Sequence, residues 1–302
     1  MENQIKSLKV NEVTLSNEPT LKTGNKKFDK WFSNKGGMVK GSSILLSGVS
    51  GSGKTTLCFN LMNWMPNSII SLYEREVASQ SVCEQTSNIK PKHENAYIAD
   101  KKTHPHFNDY VKELSILKPE VIILDSIQAI AMDDFSDMSE DDALNHISKV
   151  LREFAEENNS VVIIISHNTK GGDFKGTNCL KQMVDAHMIM DYNKKGNFRT
   201  ITFSKNRKGA IDTMFYTFEE SGIEFFTTEE WDARADDRNF KEKFLQFVNN
   251  YVASSNKKND ICINLINDYN KGIKSISKIE NDSEVCEKLL NLMLSLSDKY
   301  EG

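Results

Sequence analysis

The stretch SSILLSGVSGSGKTTLCFNLMNWM, residues 42–65, constrains the fold of this 302-residue chain more than any other. SSILLSG (42–48) is a compact apolar run ending in glycine, the pattern of a strand buried on both faces. TTLCFNLMNWM (55–65) follows with apolar residues at helical spacing. A buried strand that feeds a helix through a glycine-rich turn needs parallel neighbours, and three further apolar runs supply them. NSIISLY (67–73), PEVIILDS (119–126) and SVVIIISH (160–167) read as strands. FNDYVKELSIL precedes the second of these as a helix, and residues 139–158 form another, with Ala143, Ile147, Val150, Leu151 and Phe154 at helical spacing. Continuous apolar strands alternating with helices predict an α/β fold, a mainly parallel sheet covered on both faces.

After residue 180 the pattern changes. DAHMIMDY, RTITFS, TMFYTFE and GIEFFTT read as four strands joined by tight turns, NKKGN and SG among them. They are expected to extend the sheet in antiparallel fashion. From residue 232 the sequence is helical and more polar: Phe240, Phe244, Phe247, Val248 and Tyr251 line one helix face, and residues 285–296 form a second amphipathic helix. The expected organisation is an N-terminal arm (1–22), a core (23–231) and a small C-terminal helical region (232–302).

Composition bounds the chemistry. Hydrophobic residues make up 38% of the chain, enough for one large core, while the formal charge of −5 provides no global basic field. Any nucleic-acid binding therefore rests on local patches. The five cysteines are scattered and odd in number, with no CxxC pair, so neither a zinc ribbon nor a disulfide framework is supported. The N-terminus MENQIKSLKV lacks the apolar segment of a signal peptide, and no run approaches the ~18 apolar residues of a membrane span. A cytoplasmic, non-membrane protein is expected.

GVSGSGKT, residues 48–55, matches GxxxxGK[ST] and lies between the strand and the helix, the context such a motif requires. Its glycines let backbone N–H groups curve around a β-phosphate, and the helix N-terminus favours the anion. Gly48, Val49, Ser50, Gly51, Ser52, Gly53, Lys54, Thr55 and the following Thr56 are the expected nucleotide contacts, with ATP and Mg²⁺ as cofactors. Lys54 neutralises the β/γ-phosphates and the Thr55 hydroxyl holds the magnesium. A partner acid is expected at the end of a neighbouring buried strand, and Asp125 of VIILDS supplies it. YERE, after the second strand, offers Glu74 or Glu76 to orient an attacking water, Glu74 being favoured because it follows the apolar run directly.

The fourth strand ends in SHNTK, where His167 is placed to report the γ-phosphate to the next loop. That loop, KGGDFKGTN (170–178), combines three glycines, Lys170, Lys175 and Phe174. Flexible backbone, cations and one aromatic suit contact with single-stranded nucleic acid. MDDFSDMSEDD (132–142), with six acids in eleven residues, would repel DNA unless it faces a basic partner. TFSKNRKGA (202–210) places Lys205, Arg207 and Lys208 directly after an alternating run. These cations either form a basic turn or reach a phosphate, in the same subunit or across an interface.

Together these motifs resemble a family. TGNKKFDKWFSNKGGMVKGSSILLSGVSGSGKTTL resembles the entry to the ATPase domain of the bacterial RadA/Sms proteins. ILDSIQAI is similar to that family's second nucleotide motif, SHNTKGG to its histidine-threonine-lysine loop, LKQMVDAHMIM to a Leu-x-x-Met-Val-Asp segment, and SKNRKG to its KNRFG signature. The matches keep their order over about residues 20–225. The resemblance implies a RecA-like ATPase, close in mechanism to DnaB-type ring helicases, that forms hexamers on DNA and promotes branch migration. It makes Lys54 and Thr55 nucleotide ligands, Asp125 the magnesium acid and Glu74 or Glu76 the catalytic acid. Lys205 and Arg207 become cations reaching a neighbouring subunit's ATP, and Lys170 with its glycine loop a DNA contact. The family's four-cysteine zinc finger and Lon-protease-like domain have no counterpart here, and Lys208 stands where the family has phenylalanine. The expected function is an ATP-dependent DNA-binding motor or recombination and repair factor on single-stranded DNA, as a homo-oligomeric ring or filament. The alternatives are a KaiC-like ATP-gated assembly protein with protein partners, or a DnaB-like replicative helicase.

Overall fold

The computed structural model describes residues 18–167, 177–193 and 198–234. Most of the N-terminal arm, the C-terminal helical region from residue 235, and Lys170, Phe174 and Lys175 lie outside the described residues.

The chain enters through β1 (Thr20–Leu21), α1 (Lys26–Phe32) and β2 (Met38–Val39), the two short strands pairing antiparallel with each other. The core then alternates: β3 (Ser43–Gly48), α2 (Lys54–Trp64), β4 (Ile70–Glu74), α3 (Ser79–Gln85), β5 (Ala96–Asp100), α4 (Phe107–Leu117) and β6 (Val121–Asp125). After it come α5 (Ile127–Asp134), α6 (Glu140–Asn158), β7 (Val161–His167), α7 (Thr177–Met183), β8 (Ala186–Asn193), β9 (Phe198–Asn206), β10 (Thr213–Glu219) and β11 (Gly222–Phe226). The strands form one nine-stranded sheet in the order β11-β10-β9-β8-β3-β7-β6-β4-β5.

Successive side chains of the central strands face opposite layers, and both layers are apolar. Ile44, Leu46, Ile123 and Ile163 pack with Phe28, Leu57, Leu61, Phe203 and Tyr216 on one side. Leu45, Ile122, Leu124 and Ile164 pack with Tyr110, Leu114, Ile130, Ile147 and Leu151 on the other. This is the period of two that a doubly covered sheet imposes on a run with no polar alternation.

Two expectations are corrected. β8 is parallel to β3, not antiparallel, because α7 carries the chain across the sheet before β8 begins; only β9, β10 and β11 run antiparallel. The strand bearing Asp125 is also not the immediate neighbour of the strand leading into the 48–55 turn, since β7 pairs with both β3 and β6. Parallel alignment still brings the C-terminal ends of β3, β4, β6 and β7 to one edge, where ligands of such sheets bind.

Candidate active site

β3 delivers the glycine-rich turn, and two glycines fix its path. Gly48 has φ +156°, and a Cβ there would lie 2.1 Å from the Met190 carbonyl oxygen. Gly53 has φ +97° and caps the N-terminus of α2 in a left-handed conformation. The turn therefore closes tightly over the start of α2, whose first N–H groups have no partner within the helix. Lys54 is only 5% exposed, and its Nζ donates to the carbonyl oxygens of Gly48 (2.9 Å) and Val49 (3.1 Å). Burial lowers its pKa, against the pull of Asp125 and Glu76. The ammonium thus rests on the turn's own carbonyls, within the curve that an anion would fill. Ser52 Oγ is buried there with no partner. An ammonium, a partnerless hydroxyl and a helix N-terminus converging on one concave turn fit the phosphates of a nucleotide.

The hydroxyl of Thr55 donates to Asp125 Oδ2 at 2.8 Å, tying the first turn of α2 to the end of β6. Asp125 is buried, and burial raises its pKa. A hydroxyl and a buried carboxylate at this spacing are a fitting donor set for Mg²⁺.

The two glutamates of YERE differ sharply in placement. Glu74 ends β4 in register with Asp125. It is 2% exposed, and its Oε1 accepts from the N–H groups of Glu76 (2.8 Å) and Val77 (3.0 Å). Burial, reinforced by the Asp125 charge, pushes its pKa up to about 8. Glu76 points the other way, with Oε1 3.0 Å from His167 Nε2 and accepting from Ser126 Oγ. Its pKa is lowered, chiefly by His167 beside it. Glu76, Asp125 and His167 each bring one ligand atom into a group spanning no more than 4.8 Å. The geometry thus assembles Glu76 with Asp125 and His167, and leaves Glu74, favoured from sequence, as the buried staple of the turn.

Arg75 lies between these glutamates and was not anticipated. Its N–H donates to the Asp125 carbonyl (2.7 Å), and its buried guanidinium reaches Tyr73 Oη, the His104 and Pro105 carbonyls, Asp133 Oδ2 (2.9 Å) and Asp134 Oδ1 (3.1 Å). The arginine therefore fixes the turn that presents Glu76. It also changes the meaning of the acidic 132–142 stretch. Asp133 and Asp134 neutralise Arg75, while Glu140, Asp141 and Asp142 occupy the first turn of α6, where the helix dipole favours negative charge. The only signal in the sequence was an arginine between two acids, which equally describes a solvated turn.

The Lys205–Arg207–Lys208 cluster is also resolved into three environments. Lys205 Nζ donates to the carbonyls of Lys181 (2.7 Å), Gln182 (3.1 Å) and Val184 (2.6 Å), at the C-terminal end of α7. Arg207 is half exposed, with Nη1 3.5 Å from Asp185 Oδ1. Lys208 pairs with Glu18. Among the described residues, no hydrogen bond or ion pair joins Lys205 or Arg207 to residues 48–55 of the same chain.

The described residues contain no helix long and apolar enough to cross a membrane. Cys58, Cys83 and Cys179 are free thiols, while Cys262 and Cys286 lie outside the described residues.

With this geometry in place, comparison with known proteins is informative. Residues 44–174 match the model of the ATPase family associated with various cellular activities (AAA). The chain is 26% identical over 225 residues to the DNA repair protein RadA of Haemophilus influenzae, covering 74% of this chain and 48% of that one. It is 25% identical over 222 residues to RadA of Escherichia coli, covering 71% and 46%. RadA of Streptococcus pneumoniae matches at 27% over 219 residues, covering 72% and 51%. The chain spans about half the length of these curated relatives. Among solved structures, a KaiC-like protein from Pyrococcus horikoshii aligns with a TM-score of 0.57 at 16% identity, over 69% of this chain and 99% of that one, a likeness of fold.

Proposed function

We propose that the chain is a RadA-like ATPase of RecA fold that couples ATP hydrolysis at subunit interfaces to binding of single-stranded DNA. The observation that carries this reading is the Glu76–Asp125–His167 group, joined through Thr55 to the phosphate-binding turn.

In this reading Lys54 leaves the Gly48 and Val49 carbonyls for the β/γ-phosphates, to which its charge is better matched. Thr55 and Asp125 would hold Mg²⁺, which when bound neutralises charge on the phosphates. Glu76, ionised because His167 and Ser126 stabilise its carboxylate, orients the attacking water and accepts its proton. Glu74 holds the turn and takes no part in the chemistry. His167 starts the segment carrying Lys170, Phe174 and Lys175, so a change at the γ-phosphate is passed directly to the DNA contacts. Arg207, half exposed and only loosely paired with Asp185, is the cation that reaches a neighbouring subunit's ATP; such groups raise turnover by factors of ~10³ or more. Lys205, engaged on α7 in the single chain, must release those carbonyls to join it.

Steady-state ATP turnover with and without single-stranded DNA tests the reading. DNA is expected to accelerate turnover, and Lys170→Ala combined with Lys175→Ala to abolish the acceleration. Neither stimulation nor binding at low salt would eliminate DNA as the partner and leave protein-directed assembly as the alternative.

A further inference from the structure

We propose that His187 is a positioning residue, which pins a bulge in β9 through Ser204 and thereby aims Arg207 at the neighbouring subunit's nucleotide. The inference rests on the reading that Arg207 acts across the interface.

β8 and β9 do not pair evenly. Met188 stands opposite Phe203 and His187 opposite Lys205, so Ser204 is an extra residue in the ladder. The bulge comes where β9 loses its other neighbour. β10 pairs with Arg199 to Thr202, and a last hydrogen bond runs from the Phe203 N–H to the Asp212 carbonyl. Beyond Phe203, among the described residues, the β9 backbone pairs with β8 and with Asp185 just before it. An unpinned bulge can migrate along such a strand, and a shift of one residue turns every later side chain to the opposite face. Lys205, Asn206 and Arg207 are those later side chains.

His187 supplies the pin. Its imidazole is fully buried, with Nδ1 hydrogen-bonded to Ser204 Oγ and Nε2 to Ser47 Oγ at 2.7 Å. Burial, reinforced by the charges of Lys181 and Lys205, lowers its pKa to about 4, so the ring is neutral. A neutral imidazole has one donor nitrogen and one acceptor nitrogen, and a hydroxyl can answer either, so both serines are satisfied at once. The far end of this chain is fixed. Ser47 is buried in the middle of the sheet, paired with Ser166 of β7 and Ile189 of β8, directly before Gly48. The bulge is thereby tied to the strand that carries the phosphate turn, and Arg207, three residues after Ser204, leaves β9 in a set direction. A leucine at 187 would fill much of the same space; what the histidine adds is a bond to the extra residue.

The test uses Ser204→Ala, because Ser204 is exposed and its replacement spares the core. Steady-state turnover of the full chain is expected to fall about tenfold with KM for ATP within about twofold, and Ser204→Thr, which keeps the hydroxyl, to restore it. Mixing then locates the defect. Lys54→Ala and Arg207→Ala chains together should regain turnover, the first lending its arginine to the second's turn. Ser204→Ala added to the Lys54→Ala chain should cut that recovery about tenfold; added to the Arg207→Ala chain, it should leave recovery within about twofold. Equal loss in both placements would make the bulge a general support of the fold and overturn the proposal. So would unchanged turnover in Ser204→Ala. If the parent pair assembles without recovery, hydrolysis between subunits is the reading that fails, and the positioning of Arg207 falls with it.

Discussion

Glu74 and Glu76 are separated by one residue and have opposite proton affinities, because one faces the interior and the other faces a histidine. That contrast assigns each a measurable behaviour. Glu76→Gln removes the carboxylate proposed to orient the water and is expected to lower kcat by about 10²-fold or more while ATP affinity changes less than about threefold; turnover and binding measured side by side check it. Glu74→Gln should retain turnover and alter the pH dependence of stability instead. With a folded pKa raised to about 8, Glu74 keeps its proton in the native state after the unfolded chain has lost it. Its stabilising contribution is complete below the unfolded value and is lost as pH rises to about 8, at up to ~1.4 kcal/mol per pH unit. Thermal melts should therefore show wild type losing stability against Glu74→Gln between pH 5 and 8. YERE alone could not separate the two glutamates. Both follow an apolar run, and what distinguishes them is the turn that Arg75 fixes by reaching Asp133 and Asp134, 58 and 59 residues away in sequence.

At the scale of elements, β3, β6 and β7 were legible because burial on both faces leaves an uninterrupted apolar run. β5 was not, since this edge strand is half exposed and its AYIAD sequence resembles a loop. The direction of β8 was hidden for a different reason: it depends on α7, whose TNCLKQM sequence continues a glycine- and lysine-rich stretch. The same helix gives Lys205 a partner within its own chain. A lysine near the end of a strand reads the same in sequence whether it reaches a phosphate or caps a helix, and here it satisfies three carbonyls at the end of α7. Lys205→Met strands those carbonyls and should cost about 1–3 kcal/mol, a fall of several degrees in Tm with ATP affinity unchanged. Scanning calorimetry and nucleotide titration of the same variant separate this structural contribution from any role in turnover.

On the scale of the whole molecule, one sheet edge gathers the phosphate turn, Asp125, Glu76 and His167, whereas Arg207 lies beyond it at the end of β9, next to Asp185. Under the proposed function Arg207 acts on a neighbouring chain's nucleotide, so the proposed working unit contains more than one chain. The most direct measurement mixes two inactive variants. Lys54→Ala cannot engage the phosphates in its own turn but keeps Arg207; Arg207→Ala keeps a whole turn but donates no cation. Each alone should hydrolyse ATP at about 1% of the wild-type rate or less. Mixed in equal amounts and allowed to assemble, they should recover a substantial fraction of wild-type turnover, because some interfaces then pair an intact turn with an intact arginine. Assembly of the mixture with no recovery would contradict hydrolysis between subunits and confine Arg207 to its own chain.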